Sequence, residues 1–197
     1  LYNRQTAIIR VNKFPPSVLK EILAFHNPNY TQDDLLALYS FTGGVAKYVE
    51  LLMDKGATTR SKMIETIVQA DSIFLSEGKN LLIEEFGKDY GIYFSILTAI
   101  ASGHTQRSQI EDMIGKEIGG YLTMLEDSYG IIHKHKPLFT TKNSNIHYRL
   151  NDNFLTFWFR FLFKYNHMLE IEAFDALRQI IERDYETFSG KMLEQYF

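Results

Sequence analysis

The chain has 197 residues, enough for one or two domains with a buried core, and its 45% hydrophobic and 23% charged residues are ordinary for a soluble globular protein. Its net charge of −3 gives no whole-chain field for nucleic acid, so any such contact must come from a local patch. The absence of cysteine excludes disulfides and thiolate metal sites. The densest apolar run, Phe154–Phe163, contains Arg160 and is far shorter than the roughly 20 residues of a membrane span.

In chain order, Ala7–Val11 is β-rich and predicts a short strand. Pro15-Pro16-Ser17 starts a helix running to about Phe25, since proline suits a first turn. Thr31-Gln32-Asp33-Asp34 resembles a capping box, and Leu35, Leu36, Leu38 and Tyr39 form the stripe of the helix it opens. Gly43-Gly44 breaks that helix and Val45–Met53 forms the next. Met63, Ile64, Ile67 and Val68 repeat at helical spacing, predicting a fourth helix from Thr59 to about Leu75, with Gly78 and Gly87 punctuating a short link.

A second rhythm follows. Tyr93, Phe94, Ile96, Leu97, Ile100 and Ala101 mark an apolar helix stopped by Gly103. Thr105 caps a second helix with Ile110, Met113 and Ile114 facing inward, and a third, Lys116–Ser128, carries Ile118, Tyr121, Leu122 and Leu125. Ile131–Phe139 and Ile146–Leu150 then read as strands joined by the polar loop Thr140–Asn145. Helix, helix-turn-helix and hairpin is the order of a winged helix. Asn151-Asp152-Asn153 caps a helix over Phe154–Tyr165 that is apolar on nearly every face, and another spans about Ile171–Asp184. The fold class is therefore mainly α: a helical bundle, a winged helix-turn-helix of three helices plus a β-hairpin, and C-terminal helices.

No phosphate-gripping G-x-x-x-x-G-K-[ST] loop occurs; Gly78-Lys79-Asn80 lacks both the first glycine and the hydroxyl. The start at Leu1 and an end at Phe197 inside a helical pattern read as cuts, with Gly190–Phe197 beginning something the chain does not complete, so a larger protein is expected. No signal peptide is visible, and a cytoplasmic location without membrane contact is expected.

Four segments, in order along nearly the whole chain, resemble the C-terminal half of the archaeal-type ATPases of the AAA+/STAND group, which also occur widely in bacteria. Leu1-Tyr2-Asn3-Arg4 with Ile8–Phe14 resembles the exit from the last core strand, LYGR…I.L.PF. Asp33–Leu52 resembles the lid signature DLL.LY..TGGVP.YLELL, and Tyr93–Gly130 the winged-helix region. Tyr148–Phe163, YRLNDNFLTFWFRFLF, resembles Y.I.D.FLRFWFRF, which opens the C-terminal domain. Asn3 and Ala46 stand where the family usually has Gly and Pro; Ala46 keeps the small volume without proline's fixed φ.

The resemblance implies three units: an ATPase lid over residues 1–86, a winged helix over 87–151 and the start of a family-specific domain over 152–197. It implies a P-loop core elsewhere in the same protein, with ATP and Mg²⁺ bound between core and lid, possession of no catalytic residue by this chain alone, and an oligomer as one form of the parent. Gly43, Gly44 and Ala46 would lie near the nucleotide, and Lys47 would be a sensor-type cation reaching phosphate when the lid closes. Arg4 stands where an arginine could meet the γ-phosphate.

Two other readings compete. A DNA-binding module would meet duplex phosphates through Lys134, Lys136, Lys142 and Arg149 on the hairpin, with Lys116 from the third helix, whose other side chains include Glu117, Glu126 and Asp127. A protein-interaction scaffold would dock partners through the winged helix and Phe154–Phe163. His133, His135 and His147 lack a nearby carboxylate, so no metal site is expected. The aromatic run itself reads as packing, and Arg160 within it needs an acidic or carbonyl partner.

Overall fold

The computed structural model describes residues 12–136 and 146–194. The expected strand Ala7–Val11, the loop Thr140–Asn145 and the first hairpin strand beyond Lys136 lie outside them. Among the described residues the fold is mainly α, with a two-stranded antiparallel hairpin.

Pro15 caps and Pro16 opens α1 (Pro16–His26), whose buried pair, Leu19 and Leu23, lies one turn apart. The second helix, α2 (Gln32–Thr42), begins in the expected capping box. Asp34 N donates to Thr31 Oγ1 (3.1 Å), while Asp34 Oδ2 accepts from Thr31 N and Thr31 Oγ1 (2.8 Å each). Asp34 Oδ1 also accepts from the backbone N–H of Arg60 (2.8 Å), the first residue of α4 (Arg60–Ile67). One buried carboxylate thus joins the starts of two helices.

Burial alone would raise the Asp34 pKa, but the N–H groups of Thr31 and Arg60 and the Thr31 hydroxyl outweigh it and hold the carboxyl below its ordinary value. A carboxyl so held stabilises the fold above the unfolded-state value of about 4, and this contribution is lost as pH falls through the folded value. Asp34→Asn is expected to cost about 1–3 kcal/mol at neutral pH and less in acid, because an amide NH₂ cannot accept from these donors. Urea denaturation of both proteins across the acid range measures this; a pH-independent difference would contradict it.

The third helix, α3 (Ala46–Asp54), buries Tyr48, Val49, Leu52 and Met53. The single helix expected over Thr59–Leu75 is in fact two. The first, α4, stops at Val68, Asp71 takes a left-handed φ of 58°, and α5 (Ile73–Phe86) begins after Ser72. The Gln69 amide and Ser72 hydroxyl both donate to the Thr66 carbonyl (3.1 and 3.2 Å), and Arg178 Nε to that of Val68 (2.9 Å), so the freed carbonyls are answered outside the helix ladder. Gly78, expected in a link, sits inside α5, where its bare backbone lies against the Trp158 ring.

A short 3₁₀ turn, Gly87–Asp89, leads into α6 (Tyr90–Ala101), and α7 (Arg107–Ile114) follows. Gln106, rather than Thr105, caps α7, paired reciprocally with Gln109; Thr105 instead accepts Tyr148 N at its carbonyl (2.8 Å). Met113, expected inside, is 55% exposed. The third helix of this unit starts at Gly119, not Lys116: α8 (Gly119–Thr123) runs into a π-helical turn, Met124–Ser128. The hairpin pairs β1 (Ile132–His135) with β2 (His147–Leu150), placing Ile132 opposite Leu150 and His135 opposite His147.

Asp152 then caps α9 (Asn153–Phe157), accepting Leu155 N at 2.8 Å, and a π-helical stretch, Trp158–Phe163, continues it. This aromatic segment joins both halves of one continuous core. Phe154 meets Tyr48 (ring centroids 4.1 Å) and Phe157 meets Phe41 (4.8 Å), while Phe159 and Phe163 meet Phe94 (5.3 and 5.1 Å). Arg160 finds the carbonyl partner it needs, donating to Ser102 O at 3.0 Å. After α10 (Asn166–Glu170) and a left-handed Glu172 (φ 55°), α11 (Phe174–Glu194) runs unbroken through Gly190. That helix is longer than the Ile171–Asp184 expected, and it returns to the bundle, where Tyr185 meets Phe41 (5.8 Å).

Candidate functional site

Gly43 and Gly44, both left-handed (φ 59° and 76°), carry the chain from α2 into α3. Thr42 Oγ1 donates back to Leu38 O (2.6 Å) and accepts Gly44 N (3.2 Å), so the turn is tied to the helix it ends. The turn is buried. Phe14 N donates to Gly44 O (2.7 Å), and a Cβ on Gly44 would lie 2.2 Å from Phe14 O. Across the turn, a Cβ on Gly43 would touch the Asn153 Cβ at 3.4 Å, and Asn153 Nδ2 donates to Tyr39 O at 3.4 Å. Lys13, beside Phe14, forms an ion pair with Asp152. Three stretches of chain therefore meet at this turn: Lys13–Phe14, the end of α2 and the start of α9.

Ala46 begins α3, and Lys47, next along it, projects into solvent with 56% of its side chain exposed. Its ammonium donates to Glu77 Oε1 of α5 at 2.8 Å, and the Tyr48 hydroxyl donates to the same oxygen at 3.2 Å. Burial, with the Glu77 charge added, pushes the Tyr48 phenol well above its ordinary range, so it stays a donor. Lys47 is thus a half-exposed cation held by a carboxylate. Sequence reasoning missed Glu77, whose one local sign is its place on α5 beside the packing residue Gly78. Arg4 lies outside the described residues.

The hairpin candidates do not share one surface. Lys134 lies opposite Tyr148, on the face that also carries Ile132 and Leu150, and pairs with Glu126 of the preceding π-turn. That bond raises the Lys134 pKa and fixes its charge against the protein. Arg149 lies on the other face, opposite His133, and Lys136 is exposed beyond the described end of β1. Lys116, before α8, donates to the Tyr121 hydroxyl (3.0 Å), its ammonium over that ring, while Lys142 lies outside the described residues. His133 is hydrogen-bonded to Asn151 and His147 to Thr105 Oγ1 (2.7 Å). No group of three His, Asp or Glu residues suited to a metal occurs among the described residues.

The chain is similar to the uncharacterized protein MJECL04 of Methanocaldococcus jannaschii, at 27% identity over 199 residues. The match covers 99% of this chain and 43% of that protein, so the chain spans less than half the length of this relative. No family model and no solved structure matches it. Among the described residues no helix is long and apolar enough to cross a membrane.

Proposed function

We propose that this chain is the lid and winged-helix portion of an ATP-binding ATPase of the AAA+/STAND type, working with a P-loop core in the same protein. The observation that carries this reading is the buried Gly43–Gly44 turn with Lys47 in the first turn of the following helix. Such a turn fixes where α3 starts, while Lys47 remains free to trade Glu77 for a phosphate. Charge-assisted bonds of this kind are strong enough to bias a domain angle. The helix-turn-helix and hairpin order of α6 to β2 supports the same reading, as does a similar protein more than twice as long. Mg²⁺ and its ligands belong to the core in this scheme, and the chain supplies positioning, not chemistry. We place the protein in the cytoplasm on the same grounds.

The DNA-binding reading draws less support, because Lys134 is neutralised by Glu126 and Arg149 lies on the opposite face of the hairpin.

The purified 197-residue chain is expected to hydrolyse no ATP. In the whole protein, Lys47→Ala should weaken ATP binding about tenfold, and Glu77→Gln, which frees Lys47, should tighten it. Equilibrium binding of a fluorescent ATP analogue measures both. An upstream coding sequence without a phosphate loop, or unchanged affinity in Lys47→Ala, would overturn the reading.

A further inference from the structure

A cavity of about 230 Å³ lies away from the glycine turn, between β2, the C-terminal end of α6, α9 and α11. Three basic side chains line it from three parts of the fold: Arg149 from β2, Arg160 from the π-helical stretch and Lys191 from α11. Glu194 is the carboxylate among its lining residues. The space therefore carries a net positive charge.

How these cations are engaged decides what the cavity can take. The Arg160 side chain is only 16% exposed; it donates to Ser102 O at 3.0 Å and lies 3.9 Å from Asp184, which is bound more closely by Arg183 (2.8 Å). One guanidinium edge is thus anchored, and the group is held in place at low entropic cost. No described carboxylate pairs with Arg149 or Lys191, and the segments 1–11, 137–145 and 195–197 contain no Asp or Glu side chain. Thr187 also lines the cavity. Arg149 and Lys191, neither paired with a carboxylate among the described residues, line the same space as the held Arg160 guanidinium, a set of donors suited to the several oxygens of an anion.

We infer that this cavity binds a small phosphate-bearing ligand. A phosphate dianion answers the excess charge, and its several oxygens can be shared among two guanidinium groups and an ammonium, which a single carboxylate cannot do as fully. The cavity is smaller than the roughly 300–1,000 Å³ of sites for drug-sized ligands, so the ligand is phosphate itself or a small phosphate ester. Bound there, it ties the hairpin to the last helix. The inference stands apart from the ATPase reading, since it uses neither Lys47 nor a P-loop core.

The test is calorimetric titration of the 197-residue chain with inorganic phosphate and, separately, with ribose 5-phosphate, against sodium chloride at matched ionic strength. Saturable heat with phosphate and a perturbed His147 ring resonance in NMR spectra are expected. Arg149→Gln and Lys191→Gln should each weaken binding about tenfold, while Lys136→Gln should not change it. Tighter binding of ribose 5-phosphate than of phosphate identifies an ester as the ligand, and the reverse identifies the free ion. Heats equal to the chloride control, or affinity unchanged from the parent chain in both Arg149→Gln and Lys191→Gln, overturn the proposal.

Discussion

Gly44→Ala is expected to destabilise the fold by more than about 3 kcal/mol, whereas Gly56→Ala should cost only about 1 kcal/mol. Both residues are left-handed, with φ of 76° and 64°, so each alanine meets the same backbone penalty. They differ in surroundings. A Cβ at Gly56 has nothing within 4 Å, while one at Gly44 would lie 2.2 Å from the Phe14 carbonyl oxygen. That oxygen is backbone and cannot swing aside, so relief requires moving the Lys13–Phe14 segment and breaking the Phe14 N to Gly44 O bond. Gly43→Ala, with only an ordinary 3.4 Å contact to Asn153, should fall close to Gly56→Ala. Urea unfolding followed by circular dichroism gives all three values. Equal losses at Gly44 and Gly56 would show that Phe14 does not clamp the turn.

The second large effect is expected at Gly78. A Cβ there would penetrate the Trp158 indole, 2.2 Å from Cδ2 and 2.6 Å from Cε3 and Cγ. The indole cannot easily retreat, because Trp158 Nε1 donates to Leu75 O (3.1 Å) and the ring packs on Phe159 and Phe163. Gly78→Ala should therefore cost about 2–4 kcal/mol, against a small gain for the same change at an open helical glycine such as Gly190. Trp158→Leu should cost a similar amount alone, through the lost ring contacts and the lost indole hydrogen bond to the Leu75 carbonyl. In the double variant the two losses should fall short of their sum by at least about 1 kcal/mol, because leucine leaves room for the new methyl. Strict additivity would mean that helix and ring do not compete for the same space.

Features specified within a few residues were the legible ones. Pro16, the Thr31–Asp34 box, the Gly43–Gly44 break and the Asp152 cap each act on their own turn of chain, and each stands where the sequence places it. What the sequence hid depends on distant partners. Gly78 reads as a linker residue until Trp158 is brought over it, and the break between α4 and α5 contains neither Gly nor Pro. Gly190 likewise reads as a boundary, yet α11 passes through it because helix packing at Phe188 and Met192 outweighs one poor helix former. In the candidate site, the glycines and Lys47 were legible, and Glu77 was not. Alternation predicts that Lys134 and Arg149 need not share a face, but only the register shows that they lie on opposite ones.

The aromatic contacts of Phe41 carry a consequence for how the protein is made. Its ring partners, Phe157 and Tyr185, leave the ribosome more than a hundred residues after it does. At about 5–20 residues per second the wait is roughly 6–29 seconds, far longer than helix formation itself. During that interval the apolar residues of α2, Phe41 among them, lack these partners and can be reached by chaperones or other nascent chains. The return of α11 to the bundle thus leaves part of α2 uncovered until residues more than a hundred positions later have been made.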